Sequence, residues 1–170
     1  MNGIVKAFLD ISIKGLPKGR LLFEVYQSKA PKAANNFLSL CKSFEASKER
    51  VLSYKGCKFH KIIPFLMAQG GDILTNNGFS NSSVYGKLFE IEKGISHDSR
   101  GILSLANDGP NTNGSQFFIT FAPTDWLDDR YTAFGKLVEG THVLNMIEYC
   151  GTKNGKPKDE VSINNCGVLV

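Results

Sequence analysis

Gly101–Phe121 reads GILSLANDGPNTNGSQFFITF, and the rest of the chain takes its meaning from these residues. Two apolar ends, Ile102–Ala106 and Phe117–Phe121, carry β-branched and aromatic residues in alternation and predict strands. Between them, Asn107–Ser115 is built from Asn, Asp, Gly, Pro, Thr and Ser. These types tolerate positive φ or bond their own backbone. The connection is long for a hairpin, and long ordered loops in compact domains tend to carry function. Its composition offers backbone donors and amides and no charged catalytic centre, so a binding loop is expected.

Outward toward the N-terminus, Val5, Ala7, Leu9, Ile11 and Ile13 fall at every second position, the pattern of a strand with one buried face. Gly15-Leu-Pro-Lys-Gly19 is turn chemistry, and Leu21, Phe23 and Val25 begin a second alternating run, which predicts a hairpin. Pro31 suits the first turn of a helix, where its missing N–H is harmless, and Ala33, Phe37, Leu40 and Cys41 recur on one face of that helix. Lys42–Lys58 is polar and mixed, an expected exposed loop. Phe59–Met67 is a dense apolar run broken by Pro64, ended by a bend at Gln69-Gly-Gly-Asp72, and Asn76–Gly86 is a second surface loop. Outward toward the C-terminus, Tyr131–Val138 predicts a strand. Thr141–Tyr149 predicts a short helix with Val143, Leu144 and Ile147 inward, and Val161–Val170 predicts a closing strand. Many short strands with two helices argue for a closed or sandwiched β fold, because closure removes exposed edges.

At 170 residues the chain suits a single domain over 1–170, and with 42% hydrophobic and 21% charged residues it is expected to be an ordinary soluble globule. The formal charge of +4 is spread without a basic arm, so nucleic acid is not expected as a partner. No apolar stretch reaches the roughly 20 residues that span a bilayer. Lys6, Asp10 and Lys14 interrupt the N-terminal apolar residues, against a signal peptide, and Asn2 stands where myristoylation needs Gly. A cytoplasmic protein, with the nucleus as the alternative compartment, is the expectation. Cys41, Cys57, Cys150 and Cys166 form no CxxC pair and stand apart from the histidines, so no metal site is expected. There is no GxSxG elbow, HExxH helix, phosphate loop or dinucleotide fingerprint. Thr124–Asp129 groups three carboxylates without calcium-loop spacing. What remains is an apolar surface with amides and a cation, equipment for a reaction that breaks no covalent bond.

Three blocks, FHKIIPFLMAQGGD from Phe59, GILSLANDGPNTNGSQFFIT from Gly101 and WLDDRYTAFGKLVEG from Trp126, closely resemble the signature blocks of cyclophilins, the peptidyl-prolyl cis/trans isomerases. The resemblance runs from the first strand to Cys166-Gly167 and implies a mainly β fold, an eight-stranded antiparallel β-barrel closed by two α-helices. It implies cofactor-free rotation of Xaa-Pro bonds in proline-containing peptides or proteins; a monomer is expected because the sequence carries no oligomerisation signal. Position by position, it places the catalytic cation at Lys61, with Gln69 and Asn107 beside it. The proline pocket falls on Leu66, Met67, Phe118 and Leu127, and further peptide contacts on Ala106 and Gln116. Trp126 holds the rim position that helps relatives bind cyclosporin A, and Tyr131 fills a rim position usually held by His.

Against the family pattern, Lys61 replaces Arg, Leu66 replaces Phe and Phe65 replaces Gly. Lys is a flexible, strongly hydrated point charge where Arg is a rigid fork, so weakened isomerase activity is expected. The alternative is a proline-peptide binding module with vestigial catalysis. Strand alternation would turn Phe65 and Leu66 to opposite sides. Asp108 lies in the loop that shapes a secondary pocket in the family; it reads either as an exposed turn aspartate or as the source of a preference for Lys or Arg a few residues before the proline. The length of Lys42–Lys58 resembles the family's divergent-loop subgroup, in which cysteines matching Cys41 and Cys166 are proposed as a redox pair, but the loop lacks that subgroup's Gly-Lys-rich tip.

Overall fold

The computed structural model describes residues 3–170. Met1 and Asn2, on which the myristoylation reading falls, lie outside the described residues. The chain opens with β1 (Ile4–Ile13) and β2 (Leu16–Tyr26), followed by α1 (Pro31–Lys42). Next come β3 (Phe44–Ser47), β4 (Arg50–Leu52), β5 (Lys61–Ile63) and β6 (Met67–Gly70). After a long loop, β7 (Ile102–Leu105), β8 (Phe117–Thr120), β9 (Ala133–Glu139), α2 (Thr141–Tyr149) and β10 (Val161–Leu169) complete it. Eight strands form one antiparallel sheet in the order β10-β1-β2-β9-β7-β8-β6-β5. Its two end strands are joined by the chain before β5. The Phe59 N–H donates to the Val161 carbonyl at 2.9 Å and the Ile163 N–H to the Cys57 carbonyl at 2.9 Å. The curled sheet and the two helices agree with the expected mainly β barrel.

The interior is set by the inward residues of this sheet. Ala7, Leu9 and Ile11 on β1, Ile62, Ala68 and Ile119 on the site side, and Val161 and Ile163 on β10 are all buried. α1 lies against β1, β2, β9 and β10, while α2 lies against β2, β5 and β6. Pro31 occupies the first turn of α1 as expected, and Ala33, Phe37, Leu40 and Cys41 face inward. Phe37 is the hub of an aromatic cluster, with ring centroids 5.2 Å from both Tyr54 and Phe134 and 5.5 Å from Phe117. α2 spans the expected residues and buries Val143, Leu144 and Ile147.

Several local readings change. The first hairpin turns on Lys14 and Gly15, at φ 54° and 75°. Two consecutive positive φ values match the right-handed strand twist. Leu16–Gly19 therefore already belongs to β2, whose one extra residue, Lys18, is absorbed by a bulge opposite Ile11/Ser12. Lys42–Lys58 is no simple exposed loop. It holds the β3–β4 hairpin, and Tyr54 is fully buried with its hydroxyl donating to the Ser115 carbonyl at 2.7 Å. Burying such a ring contributes about 1.5–3 kcal/mol, which outweighs the polarity of its neighbours. The strand expected from Tyr131 begins at Ala133, because the Tyr131 N–H bonds back to the Leu127 carbonyl. Phe65 and Leu66 sit in the turn between β5 and β6, with Phe65 at φ 69°. They point apart because of this turn, and strand alternation plays no part.

Candidate active site

The register of four antiparallel strands builds the site. Lys61 on β5 pairs Gln69 on β6, Gln69 pairs Phe118 on β8, and Phe118 pairs Ser104 on β7. Directly opposed residues share a sheet face, so a cation, an amide, an aromatic ring and a hydroxyl stand in one row. Two residue pairs along, Ile63 opposes Met67, on that same face by the period of 2. The alternate residues Ile62, Ala68 and Ile119 enter the interior, which leaves β7 and β8 buried on both faces instead of alternating.

On the outer face, Met67, Ala106 and Phe118 form a small apolar cluster apart from the main core. Ile63, Leu66, Leu127 and Tyr131 pack against it. The cluster floors an open cleft of about 380 Å³. Lys61, Leu66, Met67, Gln69, Ala106, Asn107, Asp108, Phe118, Trp126, Leu127 and Tyr131 all line it, together with Ile63. Eleven of the residues singled out from the sequence thus meet around one concavity. Ile63 was overlooked, although its spacing of two from Lys61 was a readable signal.

Each wall has its own support. Trp126 and Leu127 ride a single 3-10 turn, Asp125–Leu127, with Trp126 exposed at the rim. The Tyr131 ring meets Phe118 edge-on, centroids 5.4 Å apart. Behind Phe118, buried His97 stacks on the ring at 5.9 Å and 13°. His97 Nδ1 lies 2.7 Å from Asp128 Oδ1 and Nε2 lies 2.8 Å from Ser104 Oγ. A carboxylate only accepts, so Nδ1 carries the proton. Burial works against the Asp128 charge. Hydrogen bonds from the His97 N–H, the Ser96 hydroxyl and the His97 ring outweigh it and hold the carboxyl below its ordinary range. His97 thereby ties the 3-10 turn to the sheet. Its polar setting, Ser96-His-Asp-Ser99, gave no periodic signal that would have found it.

The amide side is organised from a loop. Gln69 Nε2 donates to Gln116 Oε1 at 3.0 Å, and Gln116 Nε2 donates to the carbonyls of Gly78 and Ser80 at 3.1 and 2.7 Å. Gln116 therefore stands beside Gln69 as its brace. The loop that supplies those carbonyls wraps around buried Asp72. Its carboxylate accepts N–H groups from Leu74, Thr75, Asn77, Gly78 and Ser80 and the Thr75 hydroxyl. Burial opposes the Asp72 charge, but these donors prevail and its carboxyl lies far below the usual range. Gly71, at φ 87°, enters this loop where a Cβ would come within 2.8 Å of the Ser115 carbonyl.

At the opposite lip, the Asn107 side chain is engaged. Its Nδ2 donates to the Arg130 carbonyl at 2.9 Å and its Oδ1 accepts the Gly109 N–H at 3.1 Å. Asp108 is exposed and also borders a neighbouring cleft of about 430 Å³ that Asp129 and Arg130 help to line. Lys61 makes no ion pair among the described residues. Its stem runs beside Gly155, where a Cβ would meet Lys61 Cγ at 2.9 Å.

Cys41 and Cys166 belong to α1 and β10, away from the cleft-lining set. All four cysteines are free. Burial, and secondarily the nearness of Cys166, pushes the Cys41 thiol well up, and burial pushes the Cys57 thiol to about 12. Thiolate, the reactive form, is correspondingly scarce at both. No group of three metal-ligating side chains occurs among the described residues. No described helix is long and apolar enough to cross a membrane.

An apolar pocket with a cation and an amide paired on one side and the Asn107 loop at the opposite lip can hold a proline ring and its flanking peptide. The family model for cyclophilin type peptidyl-prolyl cis-trans isomerase/CLD matches residues 8–168 of the chain's 170. That match takes in every strand and turn that walls the cleft, and the chain belongs to the cyclophilin-type peptidyl-prolyl isomerase family.

Proposed function

We propose that this chain, as a single domain, catalyses cis/trans rotation of Xaa-Pro bonds in peptide and protein segments at the Lys61–Phe118 cleft, with activity limited by its lysine. The observation that carries the reading is the row Lys61–Gln69–Phe118, which sets a cation and an amide beside the apolar pocket. Rotation about an amide faces a barrier of roughly 18–20 kcal/mol because resonance stiffens the C–N bond. For Xaa-Pro bonds the isomers lie within about 1 kcal/mol yet exchange over tens to hundreds of seconds. A catalyst needs only to favour the twisted amide over both planar forms.

In this reading Leu66, Met67, Phe118 and Leu127 grip the pyrrolidine ring. Gln69, backed by Gln116, and the main chain of Ala106 and Asn107 hold the flanking peptide. The Lys61 ammonium donates toward the prolyl nitrogen, whose lone pair appears as resonance is lost, and stabilises it. No cofactor enters the step. The four free thiols support a reducing compartment, cytoplasm or nucleus. Trp126 supports cyclosporin A binding, and Leu66 and Tyr131 weaken it.

One observation favours a second reading, a proline-recognition module with vestigial catalysis. Lys61 is exposed and unpaired among the described residues, so its donor is not held in one orientation. NMR exchange spectroscopy on a short Xaa-Pro peptide, with wild type and Lys61→Ala in parallel, separates the two. Exchange cross-peaks that weaken in the variant establish the lysine as catalytic. Binding shifts without accelerated exchange in either protein would leave a recognition module.

A further inference from the structure

The β5–β6 turn contributes to two clefts. Ile63 and Leu66 line the one already described, while Pro64 and Phe65 line a second of about 310 Å³ against α2. Phe65 is 85% exposed and sits at φ 69°. The left-handed region is an outlier for a bulky L-residue, and persists only where the surroundings impose it. Here they do. The Phe65 N–H donates to Glu148 Oε2 at 2.8 Å, and Glu148 is fixed by Arg100 at 2.8 Å. The turn is therefore clamped with an aromatic ring facing water, a choice that folding alone does not reward.

Across the cleft, Tyr149 at the end of α2 is 81% exposed, and the Lys158 ammonium lies 4.9 Å over its ring. Tyr149 also borders an adjoining cleft of about 340 Å³ floored by Met146 and Ile13. The charge left unpaired beside this apolar surface is positive: Lys158 lines the cleft beside Phe65, and Lys153 and Lys156 join it around a neighbouring one. Asp159 and Glu160 are paired with Lys14 and Lys58, and Glu148 with Arg100, whereas Lys153, Lys156 and Lys158 have no ion pair among the described residues. The loop bearing these lysines is bonded to β5, the Ile62 N–H donating to the Gly155 carbonyl at 2.9 Å.

We propose that the surface between the β5–β6 turn and the C-terminal end of α2 docks an acidic segment of a partner protein. Phe65 and Tyr149 hold an apolar side chain of that segment, and Lys153, Lys156 and Lys158 face its carboxylates. Aromatic anchors carry much of the energy of such interfaces, and charge complementary to the partner steers and selects it. Docking there is independent of catalysis at the neighbouring cleft.

The test is an amide chemical-shift titration of the full chain with a proline-free probe, acetyl-Glu-Glu-Leu-Trp-Glu-Glu-amide. Saturating changes at Phe65, Tyr149 and Lys158 are expected. Affinity should fall at least tenfold for the probe with lysine in place of glutamate, and at least tenfold for Phe65→Gly, whose thermal midpoint should not drop. Tyr149→Ser, at an exposed position, should lose binding to the same extent. Absence of shifts, shifts confined to Lys61 and Trp126, or equal affinity for the lysine probe would overturn the proposal. Exchange of a proline peptide should be unchanged in both variants, so its failure and that of the isomerase reading are told apart.

Discussion

Two regions meet at Gln69, and they are made by different means. On one side is the strand row of Lys61, Gln69 and Phe118, placed by sheet register. On the other is the loop from Asp72 to Asn81, which contains no helix or strand and is gathered by one buried carboxylate. The strand row draws its precision from a ladder shared by many residues, so no single side chain decides its position. The loop concentrates its order in Asp72 and passes it to the site through the Gly78 and Ser80 carbonyls and Gln116. The first region should lose function without losing stability, and the second should lose both.

The largest effect is expected at Lys61. Lys61→Ala should lower catalysed exchange by about 10², the lower end of the usual cost of one transition-state donor, because the ammonium is not held in one orientation. Its unfolding free energy should stay within about 0.5 kcal/mol of wild type, because the side chain is exposed. Unchanged exchange spectra would remove lysine from the mechanism.

Asp72→Ala comes next. Stranding several donors should cost about 2–3 kcal/mol in urea unfolding, a factor of roughly 30–150 in the folding equilibrium. Affinity for a proline peptide should fall as Gln116 loses its carbonyl partners. The carboxyl is lowered on folding, so its stabilisation is complete above the ordinary aspartate value of 3.8 and is lost as pH falls through and below it. Asp72→Asn should flatten the acid limb of a stability–pH curve, and parallel limbs in wild type and variant would contradict a loop ordered by this charge.

Smaller effects sharpen the strand side. Lys61→Arg should raise the exchange rate about tenfold, since a planar fork is oriented where an ammonium is not. A rate that falls instead would show that the cleft has adapted to lysine. Leu66→Phe should tighten proline-peptide binding only about threefold, the scale of one added aromatic contact. Isothermal titration would show it, with no change meaning that the turn carries the new ring away from the pocket.

The same contrast governs what could be read from the residues alone. β1, α1, α2 and β10 follow from hydrophobic period, because each lays one face on the core. The cleft set followed from three motif blocks, and register then brings it together. Tyr54 was hidden among polar neighbours, since a single buried ring has no period. β3 and β4 were hidden because a hairpin exposed at nearly every position carries no apolar alternation. Asp72 looked like the end of a bend and His97 like a piece of a loop. Their roles lie in hydrogen bonds to residues that no spacing rule connects. The left-handed Phe65 was likewise out of reach, because it is imposed by Glu148, 83 positions away.

The pairing of β1 with β10 has a mechanical consequence. Lys6 lies opposite Leu169, and the ladder runs from there to Ile13 opposite Val161. Tension applied near Lys6 and Leu169 would act across the strands, along the direction of their hydrogen bonds. The bonds would then break in succession, as in a zipper, instead of sharing the load in shear. A molecule tethered at both points should yield at low force, beginning at the seam where the terminal strands meet.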